Sequence, residues 1–278
     1  MGTLFIIATP IGNLEDITLR ALRVLSEADL IAAEDTRTTR ALLTRHGIRN
    51  RLVSYNEHNM RARTPQLLAA LENGDIALVS EAGTPGVSDP GHQLLLAALD
   101  AGFAAVPVPG PSAVVAALAA SGLPMREFTF LGFPPRRPGE RRRALTAVAS
   151  EPRTLVFFES PHRLRRTLED IRAVLGDRRI AVCRELTKAF EEVFRGTICE
   201  ALHHFTEPRG EFTLVIEGRA AANGQAADDE AVRQQLLRLK ADGAKARDAV
   251  AHVASAFGLP KRSVYRLWLD LKRGGSSP

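Results

Sequence analysis

The feature that most constrains the fold lies over residues 78–113, where two apolar runs each end in a loop of small residues. Ile76-Ala77-Leu78-Val79 is a short continuous apolar run of the kind shown by a parallel strand covered on both faces. It runs into Ser80-Glu81-Ala82-Gly83-Thr84-Pro85-Gly86-Val87-Ser88-Asp89-Pro90-Gly91, where few side chains can build a core. Glycines and prolines fix such a loop and let its backbone lie close to a ligand. A helix over 93–101 follows, then a strand over 104–108, then Pro109-Gly110-Pro111-Ser112-Ala113. One loop of this kind reads most simply as a tight connection. Two of them after consecutive strands point to the carboxyl edge of an open α/β sheet, where ligands of such sheets bind. Neither loop matches GxGxxG or GxxxxGK[ST], which disfavours a Rossmann dehydrogenase and a P-loop NTPase.

Upstream, Leu4-Phe5-Ile6-Ile7-Ala8 reads as a buried first strand that runs into Thr9-Pro10-Ile11-Gly12-Asn13-Leu14. Asp16 is set to cap a helix whose apolar positions Ile17, Ala21, Val24 and Leu25 follow helical spacing. Leu30-Ile31-Ala32-Ala33 delivers Glu34-Asp35-Thr36-Arg37 to a strand end, and Leu52-Val53-Ser54-Tyr55 delivers Asn56-Glu57-His58-Asn59. The expectation is a five-strand α/β domain over 1–121, closed by the helix after Ser112. The pattern breaks at Ser121-Gly122-Leu123-Pro124, and a second α/β domain is expected over 122–220, with strands at 128–133, 154–158, 180–183 and 212–216. Gly196-Thr197 suggests a hairpin turn inside 192–200, so this second domain reads as mixed. Residues 221–229 are small, polar and acidic and read as a linker. Beyond them, 230–278 reads as a helical tail resembling a small helix-turn-helix, with Gly258-Leu259-Pro260 between its last two helices.

At 278 residues and 45% hydrophobic content, two domains with real cores are expected. The 37 Lys and Arg against 32 Asp and Glu suggest a polyanionic partner, although genomic GC content also enriches arginine, and the charge alone does not decide. Cys183 and Cys199 have no metal spacing and no disulfide framework is indicated. No leader-like segment precedes the first strand and no apolar run is long enough to span a membrane, so a cytoplasmic protein is expected.

Eight segments, read together, carry a resemblance. Residues 8–14, Ala33-Glu34-Asp35-Thr36-Arg37, Ala82-Gly83-Thr84-Pro85, Ser88-Asp89-Pro90-Gly91, Pro109-Gly110-Pro111-Ser112-Ala113, Glu159-Ser160-Pro161-His162-Arg163, Arg184-Glu185-Leu186-Thr187-Lys188 and Gly210-Glu211-Phe212 occur in order. In this the chain resembles the RsmI family of small-subunit ribosomal RNA (cytidine-2′-O-)-methyltransferases, within the tetrapyrrole-methylase-like superfamily. The resemblance covers about residues 2–218 and, more weakly, the tail. The family usually has Asp where this chain has Glu81, which moves that carboxylate out by one methylene. The resemblance implies two α/β domains with S-adenosylmethionine in the cleft between them, a homodimer, no metal, and small-subunit ribosomal RNA, as part of the 30S subunit, for a substrate. It implies methylation of a ribose 2′-hydroxyl on a cytidine of the decoding region.

The residues fit that chemistry. Methyl transfer needs alignment and exclusion of water more than a nucleophilic triad or a metal cluster, and neither is found. The resemblance assigns cofactor contacts to Pro10, Ser80, Glu81, Gly83, Thr84, Pro85, Val87, Ser88, Ser112 and Ala113, and puts Phe158 near the adenine. A ribose hydroxyl is a poor nucleophile, so a general base is sought among strand-end carboxylates. Glu34, Asp35, Glu159 and Glu185 are the candidates, with Lys188 as a charge stabiliser; each reads equally as a cap or an ion-pair partner. Arg136, Arg137, Arg141, Arg142 and Arg143, then Arg163, Arg165 and Arg166, are read as phosphate contacts, with Lys261 and Arg262 adding a third basic surface. Trp268, at helical spacing with Val264, reads as core. Two other readings stay open. One is a small-molecule methylase of the same fold acting on a tetrapyrrole, which the arginine clusters disfavour. The other is a non-catalytic RNA-binding assembly factor, which the intact small-residue loops disfavour.

Overall fold

The computed structural model describes residues 1–219, 224–257, 259 and 261–273. They fall into two compact units, 1–218 and 219–278. In the first, β1 (Thr3–Ile7), β2 (Leu30–Ala33), β3 (Leu52–Ser54), β4 (Ile76–Val79) and β5 (Ala104–Val108) make one sheet in the order β3-β2-β4-β1-β5. Every pairing in it is parallel. Helices α1 (Leu19–Glu27), α2 (Thr36–Arg45), α3 (Met60–Leu71) and α4 (His92–Asp100) join the strands. Ala21, Val24 and Leu25 of α1 and Leu42 and Leu43 of α2 cover one face, against Ile7, Ile31 and Val79. Leu67 and Leu71 of α3 and Leu94 and Ala98 of α4 cover the other, against Leu4, Ala32 and Leu78. This is the doubly covered parallel sheet that the apolar runs call for. The cap of α1 is Thr18, whose hydroxyl accepts from the Ala21 N–H at 3.1 Å; Asp16 belongs instead to a 3₁₀ turn over Leu14–Asp16.

After α5 (Ala113–Ser121) come β6 (Phe128–Phe130), α6 (Pro138–Ala147), β7 (Thr154–Glu159), α7 (Pro161–Leu175), β8 (Arg179–Arg184), β9 (Glu192–Thr197), α8 (Ile198–His204) and β10 (Phe212–Ile216). The second sheet runs β6-β7-β10-β8-β9, with β6 parallel to β7 and the other pairings antiparallel. Two expectations are corrected here. Helix α5 does not close the first sheet: Val114, Ala117 and Leu118 pack on Val156, Ala181 and Val215 of the second. Its sequence is apolar almost all round, so periodicity names no buried side. The β8–β9 reversal is made by 185–191, not by Gly196-Thr197. Thr197 ends β9 as the N-cap of α8, accepting from the Glu200 N–H while the Glu200 carboxylate accepts from the Thr197 N–H.

In the second unit α9 (Gly224–Ala241), α10 (Ala246–Ala256) and α11 (Lys261–Arg273) enclose Val232, Leu236, Val250, Val253, Val264 and Trp268. Helix α9 begins at Gly224, inside the stretch expected as a linker over 221–229. Ala226 and Ala227 carry the strongest helix propensity of any residue type, and a polar composition does not remove it. Residues 221–223 of that stretch, and Gly258 and Pro260 of the expected tail turn, lie outside the described residues. Among the described residues no helix is long and apolar enough to cross a membrane.

Candidate active site

The chain order of the first sheet creates a switch point. From β1 the chain leaves through α1 on one face towards β2, and from the adjacent β4 it leaves through α4 on the other face towards β5. Ligands of open α/β sheets bind in the crevice that such divergence opens at the strands' carboxyl ends. The register pairs Ile7 with both Val79 and Val108, so β1, β4 and β5 end level and release three loops side by side. The first two are tied by a bridge in which the Thr9 N–H donates to the Gly83 carbonyl at 2.9 Å and the Gly83 N–H donates to the Thr9 carbonyl at 3.1 Å. Gly83 holds φ +75°, and a Cβ built on it would meet only Ile11 Cγ2, at 3.6 Å. Glycine is needed there for its backbone conformation, since a side chain would meet only an ordinary contact. Gly110 approaches the end of β1 so closely that a Cβ would lie 3.0 Å from that of Ala8.

A cleft of about 340 Å³ opens between these loops and the second half of the unit, lined by Ile11, Asp16, Thr18, Gly110, Pro111, Ser112, Ala116 and Thr187. Its volume is within the range of small-molecule sites. Of the expected cofactor residues Ser112 lies on this cleft. Ser80, Gly83 and Pro85 lie buried in the β4 exit loop, with Thr84 half-buried and Glu81, Val87 and Ser88 exposed; Pro10 is buried and Ala113 half-buried. The second half reaches the cleft through 185–188: the Asn13 N–H donates to Thr187 Oγ1 at 3.0 Å, and a Cβ on Gly12 would fall 2.9 Å from the Leu186 carbonyl. Thr18 carried no motif signal and Thr187 was quoted only within the 184–188 motif; both line the site through the folding of distant loops.

The carboxylates separate sharply. Glu34 follows β2, accepts from the Glu81 N–H at 3.0 Å, and is raised above the usual carboxylate range by burial and by the charges of Glu81, Glu57 and Asp35. Asp89, in the β4 exit loop, is pushed up to about 7 by burial, then by the charge of Glu34 and more weakly of Glu81, with Ser80 acting the other way. Sequence reasoning quoted Asp89 only within a motif; its signal was its neighbours in space. Asp35 goes the other way, to about 2, because the Arg37 side chain and N–H both donate to it. It is the N-cap of α2 and is corrected from base to cap.

Glu159 and Glu185 are likewise structural. The two-residue period of β7 points Glu159 with Leu155 and Phe157 towards α7. There it is 2% exposed and accepts from Thr167 Oγ1 at 2.5 Å and the Ser160 N–H at 2.8 Å. Glu185, at φ +51°, accepts from the Glu211 N–H at 2.8 Å and from Lys188 Nζ at 3.0 Å, which holds it below the usual range. Lys188 also donates to Glu211 at 2.9 Å; burial opposes its charge, but these two partners raise it. Phe158 has Phe130 at 4.9 Å and Phe133 at 5.5 Å, and the exposed aromatic of the three is Phe133.

The basic clusters divide too. Arg141 is 3% exposed and pairs with Asp170 at 2.5 Å, so it is not part of a basic surface. Helical spacing puts it on the buried stripe of α6 with Leu145. Arg163 donates to the Pro134 and Pro135 carbonyls, and Arg165 to those of Leu202 and Phe205 at 2.8 Å each. Arg142 is exposed but bonded to Asp170 at 2.6 Å. Burial opposes the Asp170 charge, yet Arg142 and Arg141 hold its carboxyl below the usual range. Arg136, Arg137, Arg143 and Arg166 remain exposed on the first unit, and Lys261 and Arg262 on the second.

Comparison with known proteins agrees with this arrangement. The profile of the Tetrapyrrole (Corrin/Porphyrin) Methylases matches residues 3–202, and that of the RsmI C-terminal HTH domain matches residues 226–272. The "Ribosomal RNA small subunit methyltransferase I" of Halalkalibacterium halodurans is 47% identical over 277 residues, covering 96% of this chain and 94% of its own length. The protein of the same name from Thermotoga maritima is 49% identical over 222 residues, covering 79% of this chain and 100% of its own length. A crystal structure of uroporphyrin-III-C-methyltransferase from Thermus thermophilus has the same fold, at a TM-score of 0.55 and 24% identity, over 78% of this chain and 94% of that one.

Proposed function

Because the chain belongs to the ribosomal RNA small subunit methyltransferase I family, within the tetrapyrrole methylases, we propose that it methylates a cytidine 2′-hydroxyl in the decoding region of small-subunit ribosomal RNA, with S-adenosylmethionine as donor. That it is a methyltransferase of small-subunit ribosomal RNA follows from the family; the nucleotide, the atom and the donor belong to the proposal. The observation that carries the reading is the switch point between β1 and β4, with three small-residue loops ending level on it.

The residues fit that donor. Thr18 and Ser112 bring hydroxyls to the cleft, and Ile11 and Pro111 give it an apolar wall. When bound, the donor supplies a methyl group already activated by its sulfonium. The chain has to orient the ribose, exclude water and take a proton. Asp89 is the best-suited acceptor: its pKa of about 7 is matched to neutral pH, held there by burial first and then by the charge of Glu34. The rate should therefore rise as pH increases through about 7, where Asp89 becomes ionised. Arg136, Arg137, Arg143, Arg166, Lys261 and Arg262 supply phosphate contacts that fix the RNA without reading its sequence. The reading extends to a cytoplasmic homodimer acting on the 30S subunit. The deciding test is mass spectrometry of small-subunit RNA from a strain deleted for this gene. One cytidine should lose a ribose methyl group and regain it on complementation; an unchanged RNA refutes the proposal.

A further inference from the structure

The exit loop of β6, residues 132–137, is more firmly held than its exposure requires. Its Pro134 and Pro135 have no N–H to donate, and its carbonyls are bound by side chains in place of a strand ladder. Arg163 Nη2 donates to the Pro134 carbonyl and, at 3.3 Å, to that of Pro135. Arg141 Nη1 donates to the carbonyls of Pro135 at 3.4 Å and Arg136 at 3.2 Å. Both guanidinium groups are themselves anchored, Arg141 by Asp170 at 2.5 Å and Arg163 by Glu159 at 3.4 Å. The Phe158 N–H fixes the near end by donating to the Gly132 carbonyl at 3.0 Å.

What this anchored loop displays differs in kind. Phe133 is 53% exposed, with Arg136 and Arg137 exposed beside it. The loop also borders the site, since a Cβ on Gly132 would lie 3.3 Å from Ser88 Oγ. An exposed ring next to cations is the arrangement that binds an unpaired base and its phosphates, and a rigid ring loses little freedom on binding.

We propose that the 132–137 loop is a preset contact for a single-stranded segment of the RNA substrate, with a nucleobase on Phe133 and phosphates on Arg136 and Arg137. Arg141 and Arg163 are its positioning residues. The proposal rests on the RNA-methylating reading, and its test separates the two. Binding of the full chain to a single-stranded oligonucleotide of the substrate region and to a duplex of equal length is measured by anisotropy, beside methylation of small subunits. Phe133→Ala should weaken single-strand binding roughly tenfold to a hundredfold. Duplex binding, cofactor affinity and sedimentation should stay as in the wild type, and Phe133→Trp should restore single-strand binding. Arg141→Lys should raise KM for RNA several-fold with kcat and the melt nearly unchanged; Arg163→Lys carries the same test should Arg141→Lys fail to fold. Wild-type single-strand affinity in Phe133→Ala, equal loss on single strand and duplex, or a change in sedimentation overturns the stacking contact. A fall in kcat without a change in KM overturns the positioning role. A wild-type chain that binds single strands through Phe133 but methylates no RNA refutes the functional reading and leaves the contact standing.

Discussion

The two five-stranded sheets of residues 1–218 share a layered plan and differ in what their edges do. In the first, every strand is parallel, so all carboxyl ends meet one edge and their loops accumulate there. The raised carboxylates Glu34 and Asp89 both belong to that edge. In the second, most pairings are antiparallel and the loops are divided between edges. Its charged groups are largely spent on structure, in Glu159 under α7 and Asp170 between two arginines. A carboxylate at a strand end is therefore a weak signal until the direction of the neighbouring strands is known.

The sharpest break in this comparison is Asp89→Asn. Removing a general base costs about 10²- to 10⁴-fold in kcat, and single-turnover methylation measures it. The same substitution should stabilise the fold at neutral pH. Asp89 is raised from 3.8 in the unfolded chain to about 7 when folded, so its contribution is full below pH 3.8 and is lost as pH rises through 7. Asparagine removes that loss, on the order of 1–2 kcal/mol after allowance for solvent screening. Melts at pH 5 and 8 test it: the gain should appear at pH 8 and shrink at pH 5.

Asp170→Ala probes the other sheet. It leaves Arg141 buried without its partner and should cost about 3–5 kcal/mol, with a smaller loss for the surface cap in Asp35→Ala. Denaturant midpoints compare the two; equal losses would mean that burial does not separate these ion pairs.

Removal of residues 219–278 asks whether the first unit holds the whole site. The Thermotoga maritima relative matches over its full length while covering 79% of this chain, which leaves unmatched a stretch about as long as the second unit. The shortened chain should melt cooperatively and keep its cofactor affinity. Its kcat/KM on small subunits should fall about tenfold through KM, the mark of lost uniform binding. Loss of the melt would show that the second unit is part of the fold of the first.

The smallest effect is expected from Arg136→Gln with Arg137→Gln. Two phosphate contacts fewer should reduce the slope of log K against log salt by about 1.4 on single strands. Salt titrations of RNA binding measure it, and an unchanged slope would return these residues to a solvated face.

Much of the first sheet was legible because parallel strands covered on both faces must read as continuous apolar runs, and the glycine loops must follow them. The basic surface was less legible. Arg141 shares a helix stripe with Leu145, a spacing that the density of neighbouring arginines conceals. Helix α5 is apolar on all sides, so only its partners identify the second sheet as the one it covers.

By itself the sequence determined the parallel strands of the first sheet, the tight loops at their ends and the helical tail, because propensity, periodicity and turn chemistry act between near neighbours. Only the tertiary structure decided which distant charges meet. Asp89 is raised to about 7 by burial and by the charge of Glu34, far from it in the chain, whereas Asp35 is lowered to about 2 by Arg37, two residues on. Electrostatic energy in a protein follows distance and desolvation in space, and the sequence orders residues only along the chain.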